Sequence, residues 1–168
     1  MFYGLTGLGT IHTAISLVAV AAGLVALWRW REITLDNPTG QLYAVTTVLT
    51  CVTGFGIFQH GGFGKPHLLG IVTLAVLALA WAAARGAFGR WARIVEVVSL
   101  SATFLFHWIP AITETTTRLP IGAPLLPNAD APELVKATGV LVLLFLIGAT
   151  LQVLRLRKAA APVAPASA

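Results

Sequence analysis

The sequence predicts an all-α integral membrane protein, a bundle of five transmembrane helices with the N-terminus outside and the C-terminus cytoplasmic. Three observations carry that expectation. Hydrophobic residues make up 57% of the 168-residue chain and charged residues only 10%, far below the ~25% that wets the surface of a soluble domain. Five runs with at most one charge reach the ~20 helical residues needed to cross a ~30 Å hydrocarbon core. The Lys and Arg residues gather in alternate connections, as membrane orientation requires. The same composition excludes a disordered chain, and the single cysteine, Cys51, excludes a disulfide framework. One compact unit over residues 1–158 is expected, followed by an Ala/Pro-rich tail, 159–168, whose lack of apolar periodicity reads as disorder.

The first span runs from about Gly4 to Trp28. Ala19-Val20-Ala21 resembles a signal-peptide cleavage site, but no Lys or Arg precedes the apolar run, so the segment reads as an uncleaved helix. The second span covers about Gln41 to His60, introduced by Asn37 as N-cap and Pro38 at the first helical position, where its missing N–H costs nothing. A Gly-rich hairpin from His60 to His67 leads into the third span, about Pro66 to Ala84, making the second and third helices antiparallel neighbours. The fourth, about Ile94 to Thr113, carries Glu96 near its start. The fifth, about Leu134 to Leu154, follows an outer loop from Thr115 to Glu133, and Asp130 with Glu133 reads as a capping box opening it.

Eight of the eleven basic residues fall on one side of this arrangement: Arg29, Arg31, Arg85, Arg90, Arg93, Arg155, Arg157 and Lys158. Lys65, Arg118 and Lys136 fall on the other, which sets the N-terminus outside. The net charge of +5 and pI near 10.2 therefore report topology, with a lipid bilayer and no nucleic acid as partner. Trp28, Trp30, Tyr43, Trp81 and Trp91 fall near the cytoplasmic boundary and Tyr3 near the outer one, as interfacial aromatics do.

The four histidines are the candidates for chemistry. His60 and His67 flank the outer hairpin, His12 lies ~12 Å inward on the first helix, and His107 lies ~9 Å inward on the fourth. Glu96, Ser99, Thr103, His107, Pro110 and Glu114 recur at steps of three or four and form one polar stripe, while His12, Ser16, Ala19 and Gly23 share a face of the first helix. Two imidazoles on facing helices at similar depth suit a b-type haem or a transition-metal ion. Phe55, Phe104 and Phe106 are available to wall a haem slot. The expected ligands are His12 and His107, with His67 as third ligand or supporting partner and His60 completing a four-histidine metal set. Ser16, Thr103 and Glu114 are supporting residues: Thr103 as acceptor for the free ring N–H of His107, Glu114 as an attractor of cations at the outer mouth.

The alternative for each histidine is structural. A membrane imidazole also serves by hydrogen-bonding a hydroxyl on a neighbouring helix, and hairpin histidines near an interface are simply solvated. Glu96 beside Arg93 reads as an interfacial ion pair, and the Thr46, Thr50, Thr53 and Gly54 face of the second helix as helix packing. Three function classes follow, in order of preference: a cofactor-binding, redox-linked membrane protein of electron transfer; a cofactor-free structural or accessory subunit; and a small transporter or channel, with a membrane-protein partner or a homo-oligomer as the expected assembly.

Gly9-x-x-His12 in the first helix, Gly40-x-x-Tyr43 opening a Thr-rich second helix that ends Gly54-Phe55-Gly56, and His67 opening the third together resemble an uncharacterised bacterial family of four-to-five-helix membrane proteins classed as a domain of unknown function. The resemblance covers about residues 4–85. It implies a bacterial inner membrane location and no established activity. Relatives commonly carry a His-Arg pair before the glycine that opens the second helix; here Asn37-Pro38-Thr39 stands in that place.

Overall fold

A computed structural model describes residues 6–58 and 62–160, and the chain there is all-α. Five helices occur among these residues: α1 (Gly7–Trp30), α2 (Pro38–Gly54), α3 (Lys65–Ala84), α4 (Ala92–Arg118, preceded by a 3-10 turn at Gly89–Trp91) and α5 (Pro132–Ala159). Four of them, α1, α3, α4 and α5, are long and apolar enough to cross a membrane. The expected Tyr3 interface and His60, together with tail residues 161–168, lie outside the described residues.

Local chemistry explains most of the boundaries. Thr6 caps α1 by accepting the Gly9 N–H at 3.1 Å, and Asn37 caps α2 by accepting the Gly40 N–H at 3.0 Å with Pro38 in the first turn. Two expectations need correction. α2 is shorter than Gln41 to His60: it ends at Gly54, where the Phe55 N–H turns back onto Cys51 and the Gly56 N–H onto Thr53, so its 17 residues rise only about 25 Å. The helix stops where Gly54 and Gly56 interrupt it, glycine being a poor helix former. The capping box at α5 does not form either. Ala131 is the N-cap with no side-chain bond, because Asp130 points instead to Lys65 at 3.0 Å and Pro132 sets the first turn.

The core is made by the first four helices. Ala19, Ala22 and Ala26 of α1, Ile33 of the α1–α2 connection, Tyr43 of α2, Leu77 and Ala80 of α3, and Leu100 of α4 form one buried cluster. Small residues let the backbones approach, which is the main source of helix attraction in lipid. At Gly23 a Cβ would stand 2.6 Å from the Phe104 ring, and at Gly70 one would stand 2.8 Å from the Phe55 ring. Those two phenylalanines therefore fill interhelical spaces instead of walling a slot. Tyr43 is no interfacial aromatic: it is fully buried. Helix α5 lies outermost, packed on α4, and only Leu134 and Gln152 of it are buried. Most of its other leucines and valines, with several of α1 and α3, are exposed, an apolar coat that only lipid or another protein can cover.

Candidate functional site

Inside the bundle, α2 supplies a hydroxyl to each of two histidines. His107 Nε2 lies 3.0 Å from Thr47 Oγ1, and His12 Nδ1 lies 3.1 Å from Thr53 Oγ1. Each threonine has one hydrogen to give. Thr47 donates it to the Tyr43 carbonyl at 2.7 Å, and Thr53 donates to the Leu49 carbonyl at 2.8 Å. Both hydroxyls can therefore only accept from the rings. The network thus assigns the proton to Nε2 of His107 and to Nδ1 of His12, leaving a lone pair on His107 Nδ1 and on His12 Nε2 when the rings are neutral.

The polar stripe continues toward the α4 N-terminus. Tyr43 Oη and Thr103 Oγ1 are 2.8 Å apart, and Thr103 donates to the Leu100 carbonyl at 2.8 Å. Ser99 and Glu96 follow, both buried. The predicted role of Thr103 is thus corrected. Its hydroxyl is engaged with Tyr43 and Leu100, and the acceptor for His107 is Thr47, which stands across the interface where the ring reaches. Ser16 bonds back to the Thr13 carbonyl at 3.1 Å and does not touch His12. Glu114 is ion-paired with Arg118 one turn on, which offsets its pull on cations.

The two imidazoles are held from different levels of α2. Their hydroxyl partners are six residues apart on α2, about 9 Å of helix rise, whereas two nitrogens on one metal centre are ~4 Å apart at ~2 Å per bond. His67 stands apart from both. Its Nδ1 accepts the Gly64 N–H at 3.2 Å, its ring is stacked on Phe58 at 4.9 Å and tilted against Phe63 at 5.2 Å, and it is 6% exposed. The lone pair it would need for a ligand is spent on the α3 N-terminus, and its buried Nε2 has no partner among the described residues. Among the described residues no three His, Cys, Asp or Glu side chains converge as a metal-binding group.

A second polar assembly closes the other end of the bundle. Residues 31–37 connect α1 to α2, with Ile33 and Thr34 buried and Arg31 in the left-handed region at φ 62°. Arg93 of α4 reaches Glu32 at 2.8 Å, Asp36 at 2.9 Å and Glu96 at 3.4 Å. Glu96 also accepts the Leu35 N–H at 2.7 Å. From α5, Arg155 pairs with Glu32 and bonds the Trp30 carbonyl at 2.8 Å, and Gln152 bonds the Arg31 carbonyl at 3.0 Å. Half of the chain's six acids thus clasp this connection to α4 and α5. Sequence reasoning found the Glu96 ion pair but not Glu32, Asp36, Arg155 or Gln152, which lie far apart along the chain. Tyr43 and Thr47 carry one detectable signal: with Thr50 they recur at helical spacing.

The clasp is acid-sensitive. The Thr34 hydroxyl on its carboxylate, and then Asn37 and Arg93, hold Asp36 below its ordinary value of 3.8 against the opposing effect of burial. A carboxylate held low contributes stability that is complete above pH 3.8 and is lost as pH falls through the lower folded value. Thermal unfolding in detergent as a function of pH is expected to show this loss in the wild type, and a smaller one in Asp36→Asn.

Set against protein families, curated proteins and solved structures, the chain matches none.

Proposed function

We propose that the chain is a bacterial inner-membrane protein of five crossing helices, N-terminus outside, in which buried His107 of α4 and half-buried His12 of α1 exchange protons along the hydroxyl-bearing face of α2. Helix α2 counts as the fifth crossing because it accompanies α1 along its length. A Cβ on Gly56 would touch Leu8 near one end, and one on Gly23 would stand 3.3 Å from the Tyr43 ring toward the other. If α1 crosses, α2 lies in the same slab. Orientation rests on the eight-to-three division of basic residues. A cysteine placed at Gly89 is expected to resist membrane-impermeant labelling in intact cells and to react after permeabilisation; labelling from outside would reverse the topology.

The observation that carries the proton reading is the pair of ring–hydroxyl contacts, His107 with Thr47 and His12 with Thr53. The free Nδ1 of His107 can take a proton while Nε2–H remains on Thr47, and the same Nδ1 gives that proton up when the ring returns to its neutral form. Tyr43, Thr103, Ser99 and Glu96 extend the polar line toward the clasp, so α2 supplies what a path along α4 alone would lack. Purified protein in vesicles carrying an internal pH dye, driven by a potassium diffusion potential, tests this. The wild type is expected to pass protons faster than empty vesicles, and His107→Ala and Thr47→Val to slow the flux about tenfold or more. Equal flux in folded wild type and His107→Ala would overturn it.

The same lone pairs favour a second reading, a haem b or transition-metal ion held by His12 and His107. Metal-bound imidazoles present one nitrogen and donate the other N–H to an acceptor, the arrangement that Thr47 and Thr53 offer these rings, and one shared centre would require the rings to span the about 9 Å of rise between those hydroxyls. A Soret band or stoichiometric metal in purified protein, lost in both His12→Ala and His107→Ala, would establish it. A protein with neither flux nor cofactor would be an accessory subunit glued by these histidines, acting with a membrane partner or a second copy.

A further inference from the structure

Close to the clasp, a groove of about 390 Å³ opens between the start of α2 and the end of α3. Leu35, Ala44 and Val45 make an apolar floor and wall, and Gln41, Trp81 and Arg85 line its polar end. The Arg85 guanidinium lies over the Trp81 ring, 4.1 Å from its centroid. Trp81 and Val45 are exposed on the outside of the bundle, where a crossing helix meets lipid. Gln41 is held in place by its bond to the Leu35 carbonyl at 3.0 Å.

The geometry points to a binding site for one anionic phospholipid, its phosphate on Arg85 and an acyl chain along Ala44 and Val45. Charge chooses the headgroup. All three acids at this end of the bundle, Glu32, Asp36 and Glu96, are taken up by Arg93 and Arg155. Arg29, Arg31, Arg85, Arg90, Arg157 and Lys158 are left in no ion pair among the described residues. Three of these, besides Arg85, lie over Trp30 or Trp91, so the helix ends on this side carry cations on indoles, the residue types that gather where headgroups lie. A zwitterionic lipid brings its own cation into this field, and a phosphate without chains leaves the groove unfilled. Basic recesses beside membrane helices select anionic headgroups on this basis.

The test uses the full-length protein in mild detergent, with dioleoyl phosphatidylglycerol, dioleoyl phosphatidylcholine and glycerol phosphate as separate probes, bound lipid being counted by native mass spectrometry. Phosphatidylglycerol is expected to bind about fivefold more tightly than phosphatidylcholine, the effect of one well-placed arginine, and glycerol phosphate not to bind. Arg85→Gln should abolish the preference and Arg90→Gln should retain it. Val45→Trp, which fills the groove and keeps the charge, should lower the occupancy of both lipids; this second variant covers the case in which Arg85→Gln does not fold. Equal binding of the two lipids by the wild type, an undiminished preference in Arg85→Gln, or unchanged occupancy in Val45→Trp would each overturn the assignment.

Discussion

Replacing Gly40 with alanine is expected to destabilise the protein by about 3 kcal/mol or more, the upper end of what overpacking costs. A Cβ at this position would lie 1.8 Å from the Thr34 carbonyl oxygen and 2.8 Å from its carbon. Both are backbone atoms, so no side chain can swing aside. The connection itself must shift, and with it the Asn37 cap on α2 and the bond from Leu35 to Glu96. Gly148→Ala is the control, since nothing lies within 4 Å of a Cβ there, and its effect should stay below about 1 kcal/mol, the range of helix propensity. Unfolding in mixed micelles measures both. Similar stability of the two variants would mean that α1 and α2 are not joined as described.

Arg93→Ala is expected to cost about 2–3 kcal/mol. Removing one partner of a buried ion pair costs about 3–5 kcal/mol because the other charge is stranded. Here Glu96 is 4% exposed and the Glu32 side chain 12%, so both would be stranded in low dielectric. The Arg93 side chain is itself 40% exposed, and the acids keep the Leu35 N–H and Arg155, which places the loss at the low end. Arg93→Lys should fall between, because one ammonium cannot serve three carboxylates with the reach of a guanidinium. Adding Glu96→Gln to Arg93→Ala should recover part of the loss by removing a stranded charge. A change under about 0.5 kcal/mol in Arg93→Ala, the level of an ordinary surface substitution, would show that the clasp contributes little.

The histidines show where sequence reasoning reached and where it stopped. Spacing along α4 put Glu96, Ser99, Thr103, His107, Pro110 and Glu114 on one stripe; the first four are buried, because an α-helix repeats its face every three to four residues whatever surrounds it, while Pro110 and Glu114 at its far end are exposed. That spacing also made Thr103 the natural acceptor for His107. In the folded chain the acceptor is Thr47, sixty residues away. Which hydroxyl faces an imidazole depends on how α2 is rotated against α4, and no periodicity within either helix encodes that rotation. Relative depth is equally beyond spacing: counting residues from a helix end assumes all ends lie in one plane, and the hydroxyls that hold His12 and His107 stand six residues apart on α2, about 9 Å of rise.

Hydrocarbon solvent acts on averages, and so the average composition of each run was enough to read an all-α chain with bilayer-length helices; every backbone group in lipid must be satisfied within its own helix. Caps such as Asn37-Pro38 were equally legible, because their bonds close within three residues. The clasp was not. Arg93 finds Glu32 and Asp36 across 61 and 57 residues, Gln152 finds Arg31 across 121, and His67 turns to its own helix end. These meetings follow from helix rotations selected by close packing, as where Gly23 admits the Phe104 ring. Such packing energy comes from contacts between segments, so the partners of each polar group became visible only once the helices were assembled.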